Sequence, residues 1–133
     1  MSTSNPRILI ADPDPDIRRS LKVYFQTSGY EIKPVEAVSN ILKFARPWQP
    51  NLIFISDDFT DKDPYQVCRE LLDDTLTSHI PIIMLLHLNE RQARLEALEV
   101  GVCDIITKPF DIEELRLRAE AAIRLSTMRM EEA

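Results

Sequence analysis

Short runs of β-branched and aliphatic residues alternate along this chain with longer stretches in which apolar positions recur at helical spacing. Arg7 to Ala11 (RILIA) reads as a strand, and Asp14 and Pro15 behind it supply a helix N-cap and a first-turn proline. Ile17, Leu21, Tyr24 and Phe25 follow at i, i+4, i+7 and i+8, the stripe of a helix packed on a sheet, and Gly29 ends it. Tyr30 to Val35 suits a second strand, and Val38, Ile41, Leu42 and Ala45 a second helix halted near Pro47. Leu52 to Ile55 is an unbroken apolar run, as expected of a central strand covered on both faces. Asp63 and Pro64 open a helix through Val67, Leu71 and Leu72, and Ile80 to Leu86 forms a fourth strand with Pro81 near its beginning. Glu90 to Glu99 is a polar-faced helix closed by Gly101, Val102 to Thr107 a fifth strand, and Asp111 caps a final helix toward Met128.

Strands and helices in strict alternation predict an α/β fold, a doubly wound parallel sheet with right-handed crossovers. In such sheets the ligand crevice lies beyond the carboxyl ends of the strands, at the loops after Ala11, Ile55, Leu86 and Thr107. The 133 residues fit one domain with an ordinary core, and 44% hydrophobic against 29% charged residues argues against disorder. No run approaches the ~20 apolar residues of a membrane span, and the start MSTSNPR lacks the apolar core of a signal peptide, so the cytoplasm is the expected location. The net charge of -6 is interspersed, with no basic block and no basic-aromatic interleaving, which argues against direct nucleic-acid binding. Cys68 and Cys103 match no metal or redox spacing and read as two buried reduced thiols. Gly29 and Gly101 are the only glycines and neither lies in a phosphate-cradling loop, which disfavours a flavodoxin-type cofactor binder.

Four segments in order, ILIADPDPDIR, PNLIFIS with YQVCREL, IPIIMLL and GVCDIITKPF, resemble the landmarks of bacterial response-regulator receiver domains. The resemblance covers nearly the whole chain. It implies a flavodoxin-like (βα)5 fold with strand order 2-1-3-4-5, and a single receiver-like domain over residues 1–133 with a core of about 6–127. The final helix has no glycine stop, leaving open a continuation into a linker or coiled coil.

In that family an acidic pair after the first strand holds Mg²⁺ and an aspartate after the third accepts a phosphoryl group. A Ser or Thr after the fourth strand and a lysine after the fifth complete the pocket. By the resemblance Asp12 matches the first acid and Lys108 the lysine, while Pro13 replaces the second acid, Ser56 the acceptor and Leu86 the hydroxyl. Ile105 stands where the family carries a switch aromatic. Removing two carboxylates leaves a poor Mg²⁺ site, because that ion binds protein where carboxylate and phosphate oxygens converge. A serine hydroxyl is a weak nucleophile without an adjacent base, and Leu86 is expected to fill the crevice. Asp12 and Lys108 are expected to form a structural ion pair, and His79 and His87 to be ordinary rim residues, His87 narrowing the crevice mouth.

The expected function is therefore that of a pseudo-receiver: a two-component signalling module without enzymatic activity or cofactor, acting by protein interaction without aspartyl phosphorylation. The alternative is a phosphorylatable receiver that uses Asp57 as a displaced acceptor, with Mg²⁺ held by Asp12, Asp14, Asp57 and Asp58. Adjacent strand side chains point to opposite faces, so Asp57 would need a bulge to turn inward. Receivers commonly signal through the fourth helix, fifth strand and fifth helix. Leu115, Ala119, Ala122 and Ile123 suit the buried stripe of the final helix, and Leu117, Ala121, Leu125 and Met128 form a second stripe beyond it. That stripe suits a homodimer, a protein partner or an output domain. Arg91, Arg94, Arg116 and Arg118 are expected as rim charges for Glu96, Glu99 or Asp104 of another chain.

Overall fold

The computed structural model describes residues 5–132. Strands β1 (Arg7–Ala11), β2 (Glu31–Val35), β3 (Leu52–Ser56), β4 (Ile82–Leu86) and β5 (Asp104–Thr107) are joined by helices α1 (Pro15–Thr27), α2 (Ile41–Trp48), α3 (Pro64–Asp73) and α4 (Arg91–Val100). Helix α5 (Ile112–Glu132) follows the last strand. The sheet is parallel throughout, in the order β2-β1-β3-β4-β5. Chain order reverses direction between β1 and β3, which places a crevice at their carboxyl ends.

Alternation along each strand divides the core into two apolar layers. Leu9, Ala11, Ile53, Ile55, Met84 and Leu86 face α2, α3 and α4, where Ile41, Ala45, Val67, Leu71 and Ala97 close over them. Ile8, Ile10, Phe54, Ile83, Leu85 and Ile106 face α1 and α5, meeting Leu21, Phe25, Leu115 and Ala119. All residues of β3 are buried, as its unbroken apolar run predicts for a strand sandwiched by helices.

Local signals account for most boundaries. Asp14 caps α1 by accepting from the Asp16 amide at 2.9 Å, and Asp63 caps α3 by accepting from Tyr65 at 2.9 Å, each followed by a first-turn proline. Gly101 closes α4 with φ of 109°, a conformation that side-chain-bearing residues adopt at a cost. Helix α2 differs from expectation. Val38 belongs to a preceding 3-10 turn (Val38–Asn40), and Pro47 is carried inside the last turn, the stop coming at Gln49 in the left-handed region. A proline near the helix end removes only one hydrogen bond, so the final turn survives.

β2 is an edge strand. Glu31 donates to Pro6 and Val35 accepts from Asp12, so residues 31, 33 and 35 bond inward while Ile32 and Pro34 face the open edge. Pro34 thus lacks its amide hydrogen where an outside strand would seek one.

Candidate functional site

The ends of β1, β3 and β5 bring Asp12, Ser56 and Lys108 together. Asp12 and Ser56 are fully buried. Strand parity sends both side chains to the α1–α5 side of the sheet, where Lys108 arrives from the turn after β5 with 14% of its side chain exposed. Its ammonium lies 2.8 Å from Asp12 Oδ2 and donates to Ser56 Oγ at 3.1 Å. The Asp12 contact is an ion pair outside hydrogen-bond alignment: Oδ2 accepts no hydrogen bond among the described residues, while Oδ1 accepts from the Asp14 amide at 2.9 Å. Ser56 Oγ also accepts from the Asp58 amide at 3.2 Å.

This arrangement holds a serine without activating it. Lys108 as an ammonium has three donors and no lone pair, so it cannot take the serine proton. Pro13 offers no side-chain ligand, and the Asp14 carboxylate is engaged as the cap of α1. Among the described residues, no group of three or more His, Cys, Asp and Glu side chains is placed to hold a metal ion.

Asp57 follows the parity rule and turns away from Lys108. Its carboxylate accepts from the His87 amide at 2.9 Å and meets His87 Nδ1 at 2.8 Å, with 5% of the Asp57 side chain exposed. His87 Nε2 is 4.0 Å from Asp58. The hydrogen bond to Asp57 raises the His87 pKa above its ordinary value; burial and Lys108 oppose the shift, and the charges of Asp57 and Asp58 reinforce it. His87 is therefore more than the rim residue expected. The pairing of Ser56 with Leu85 carries Asp58 opposite His87 one step past the strand ends, a relation that aligning β3 with β4 would have exposed.

Leu86 does not fill the crevice. It is fully buried in the layer under α3 and α4 because it shares the parity of Met84. The open space beside Lys108, about 570 Å³, is lined instead by Ile17, Leu21, His87, Phe110 and Ile112 with Asp16 and Ser20 at its edge. Ile105 is half-buried and packs on that same α3–α4 layer. Of the two cysteines expected to be buried, Cys68 is buried within α3, whereas Cys103 is exposed because it precedes β5 at the rim of the sheet.

On α5, Leu115, Ala119 and Ala122 are buried and Ile123 packs on them, whereas Leu117, Leu125 and Met128 are exposed and Ala121 is half-buried. The two expected stripes are thus both present. The expected rim charges are partly spent within the chain. Arg118 bonds Glu114, and Arg116 bonds Glu113 and Glu120, because these acids stand three and four residues away on the same helix, and the fold adds Asp104 of β5 to Arg118 and the Tyr24 hydroxyl of α1 to Arg116. Arg94 donates to Asn89 at 2.6 Å, and Arg91 is exposed at the start of α4. Among the described residues no helix is long and apolar enough to cross a membrane.

Comparison with known proteins agrees with this geometry. The chain is 36% identical over 121 residues to the DNA-binding dual master transcriptional regulator RpaA of Synechocystis sp., covering 90% of this chain and 49% of that protein. It is 35% identical over 117 residues to the phosphate regulon transcriptional regulatory protein PhoB of Pseudomonas aeruginosa, covering 88% and 51%. The chain thus spans about half the length of these curated relatives. A CheY-like response regulator receiver domain protein of Methanospirillum hungatei superposes with a TM-score of 0.87 at 21% identity, covering 95% of this chain and 99% of that one, and shares the fold. Residues 8–120 match the family model described as the response regulator receiver domain, and the chain belongs to that family.

Proposed function

We propose that this receiver domain is a pseudo-receiver, a two-component signalling module that works through protein contacts and not through phosphorylation of its own crevice. The observation that carries this reading is the state of the acceptor position. Ser56 is buried and accepts hydrogen bonds from Lys108 and the Asp58 amide, the Asp12 carboxylate is ion-paired with Lys108, and the next carboxylate along the chain, Asp57, is committed to His87. The donors do not fit Mg²⁺: Asp12 is paired with Lys108, Pro13 contributes nothing, Asp14 caps a helix and Asp57 points elsewhere. A phosphoryl acceptor at Asp57 would first have to break two hydrogen bonds to His87 and reverse its strand parity.

The contact surface in this reading is the outer stripe of α5, Leu117, Ala121, Leu125 and Met128, together with the exposed Arg91 of α4. Its partner is a second copy, an output domain or another signalling protein. RpaA and PhoB are both named as transcriptional regulators, and a module coupled to such an output fits an interaction role.

Intact mass spectrometry after incubation with acetyl phosphate and Mg²⁺ tests the reading. No phosphoryl adduct is expected on the unaltered chain. An adduct that Asp57→Asn or Ser56→Ala abolishes would overturn the proposal and restore a phosphorylation switch.

A further inference from the structure

At the β2 edge of the sheet, far along the chain from the crevice turn, three separate segments converge on a group of cations and aromatic rings. Arg7 opens β1, Lys33 lies in the middle of β2, and Lys43, Phe44, Arg46 and Trp48 belong to α2. Arg7 and Lys33 share the strand parity of Leu9 and Val35, so their stems rise toward α2. The Arg7 guanidinium stands 5.6 Å from the Trp48 ring centroid and donates to the Trp48 carbonyl at 2.7 Å. The Lys33 ammonium is 4.8 Å from the Phe44 ring and 5.9 Å from Trp48, and Lys43 is 5.7 Å from Phe44. Lys43, Phe44, Arg46 and Trp48 already interleave cations and rings along α2 (KFARPW), contrary to the expectation that the chain has no such pattern, and folding adds Arg7 and Lys33 to them.

Its charge is only half compensated. Arg7 approaches Glu31 at 3.6 Å and Arg46 bonds Asp74 at 2.7 Å. Neither Lys33 nor Lys43 forms a salt bridge with a carboxylate among the described residues, although the whole chain carries a net charge of -6. Contact with a ring positions an ammonium without neutralising it, so the charge remains to be paired while part of its rotamer freedom is already lost.

We propose that this corner docks an acidic segment of another protein, its carboxylates pairing with Lys33 and Lys43, which the Phe44 and Trp48 rings hold in position. Sheet extension is not the mode of binding, since Pro34 removes a donor from the open edge. Single-stranded nucleic acid fits less well. It needs a run of cations along its backbone and open ring faces for its bases, and here the uncompensated cations are two and lie over the rings. The proposal stands whether or not the crevice is chemically active.

Trp48 is the only tryptophan of the chain, so its emission reports directly on this corner. Titration with a Glu- and Asp-rich peptide should change that emission saturably, and added salt should weaken the effect. Lys33→Gln with Lys43→Gln, which keeps the stems and removes the charge, should weaken binding roughly tenfold or more with the urea midpoint unchanged, while Lys22→Glu on α1 should leave binding intact. No response to the acidic peptide at millimolar concentration, or binding indifferent to the paired Gln variant, would overturn the proposal. So would tighter binding of an oligo-dT of equal charge, which would assign the corner to nucleic acid.

Discussion

Replacing Lys108 with methionine tests whether the pair in the crevice is the structural device that the geometry describes. Asp12 is fully buried, and its partner ammonium is 14% exposed at 2.8 Å. Lys108→Met would leave that carboxylate one hydrogen bond, from the Asp14 amide, and no ion-pair partner among the described residues, the Arg18 guanidinium being bonded to the Asp12 carbonyl. Breaking a buried pair by removing one partner costs about 3–5 kcal/mol, and partial exposure of Lys108 sets the expectation near the lower figure. For a urea slope near ~2 kcal/mol/M the midpoint should fall by roughly 1.5 M. Asp12→Asn added to Lys108→Met replaces the stranded charge with a neutral amide and should recover most of that loss. The coupling between the two sites should therefore exceed about 1.5 kcal/mol in a double-mutant cycle. Urea unfolding followed by both far-ultraviolet circular dichroism and Trp48 emission measures all four proteins, and coincident transitions license the comparison. If the two single losses add to within about 0.5 kcal/mol, the carboxylate and ammonium do not depend on one another and the description of the site as a paired lock is wrong.

Two further expectations follow from contacts already described. His87, whose pKa is raised by Asp57, should titrate by NMR above the ordinary histidine value, and Asp57→Asn should bring it down. Because the folded value lies above the unfolded one of about 6.5, its contribution to stability is complete below that pH and is lost as pH rises through the folded pKa; stability that stays flat across this window in the wild type and in Asp57→Asn alike would contradict the linkage. Phe25 is fully buried and meets Tyr24, Tyr30 and Phe54 at ring separations of 5.4, 5.5 and 5.8 Å, so Phe25→Ala should cost about 3–5 kcal/mol in the same urea assay, and a loss below ~1 kcal/mol would show that the α1 layer collapses around the cavity.

The alternation of strands and helices could be anticipated because its signals are local and redundant, whereas the strand order rested on the resemblance to receiver domains. Asp14-Pro15 and Asp63-Pro64 mark helix starts, Gly29 and Gly101 mark ends, and the run at Leu52 announces a doubly covered strand. The pairing of Asp12 with Lys108 was legible for a different reason: both residues stand at strand ends that the fold class brings to one crevice. What escaped sequence reasoning depends on details past the strand ends or on segments far apart. Leu86 was expected to reach the crevice, yet parity with Met84 carries it to the opposite layer. The grip of His87 on Asp57 requires the β3–β4 register, which no composition signal encodes. Lys43 adjoins Phe44 along α2, but Arg7 and Lys33 come from β1 and β2, and only the finished fold brings them over Phe44 and Trp48. Arg116 and Arg118 read as rim charges because helical spacing was weighed for apolar residues and not for the acids that claim them.

Pro34 bears on how copies of this domain can assemble. A sheet with two open edges has a valence of two, and copies that add strands to both ends grow into a filament. Here the β2 end withholds a hydrogen from any newcomer, so one of the two ends is closed to backbone pairing. A β5-to-β5 union would consume the remaining edge in both copies at once, and the chain of additions would end with that pair. The single ring nitrogen at position 34 therefore disfavours edge-to-edge growth through the β2 end and leaves the β5 edge as the better place for a copy to add a strand.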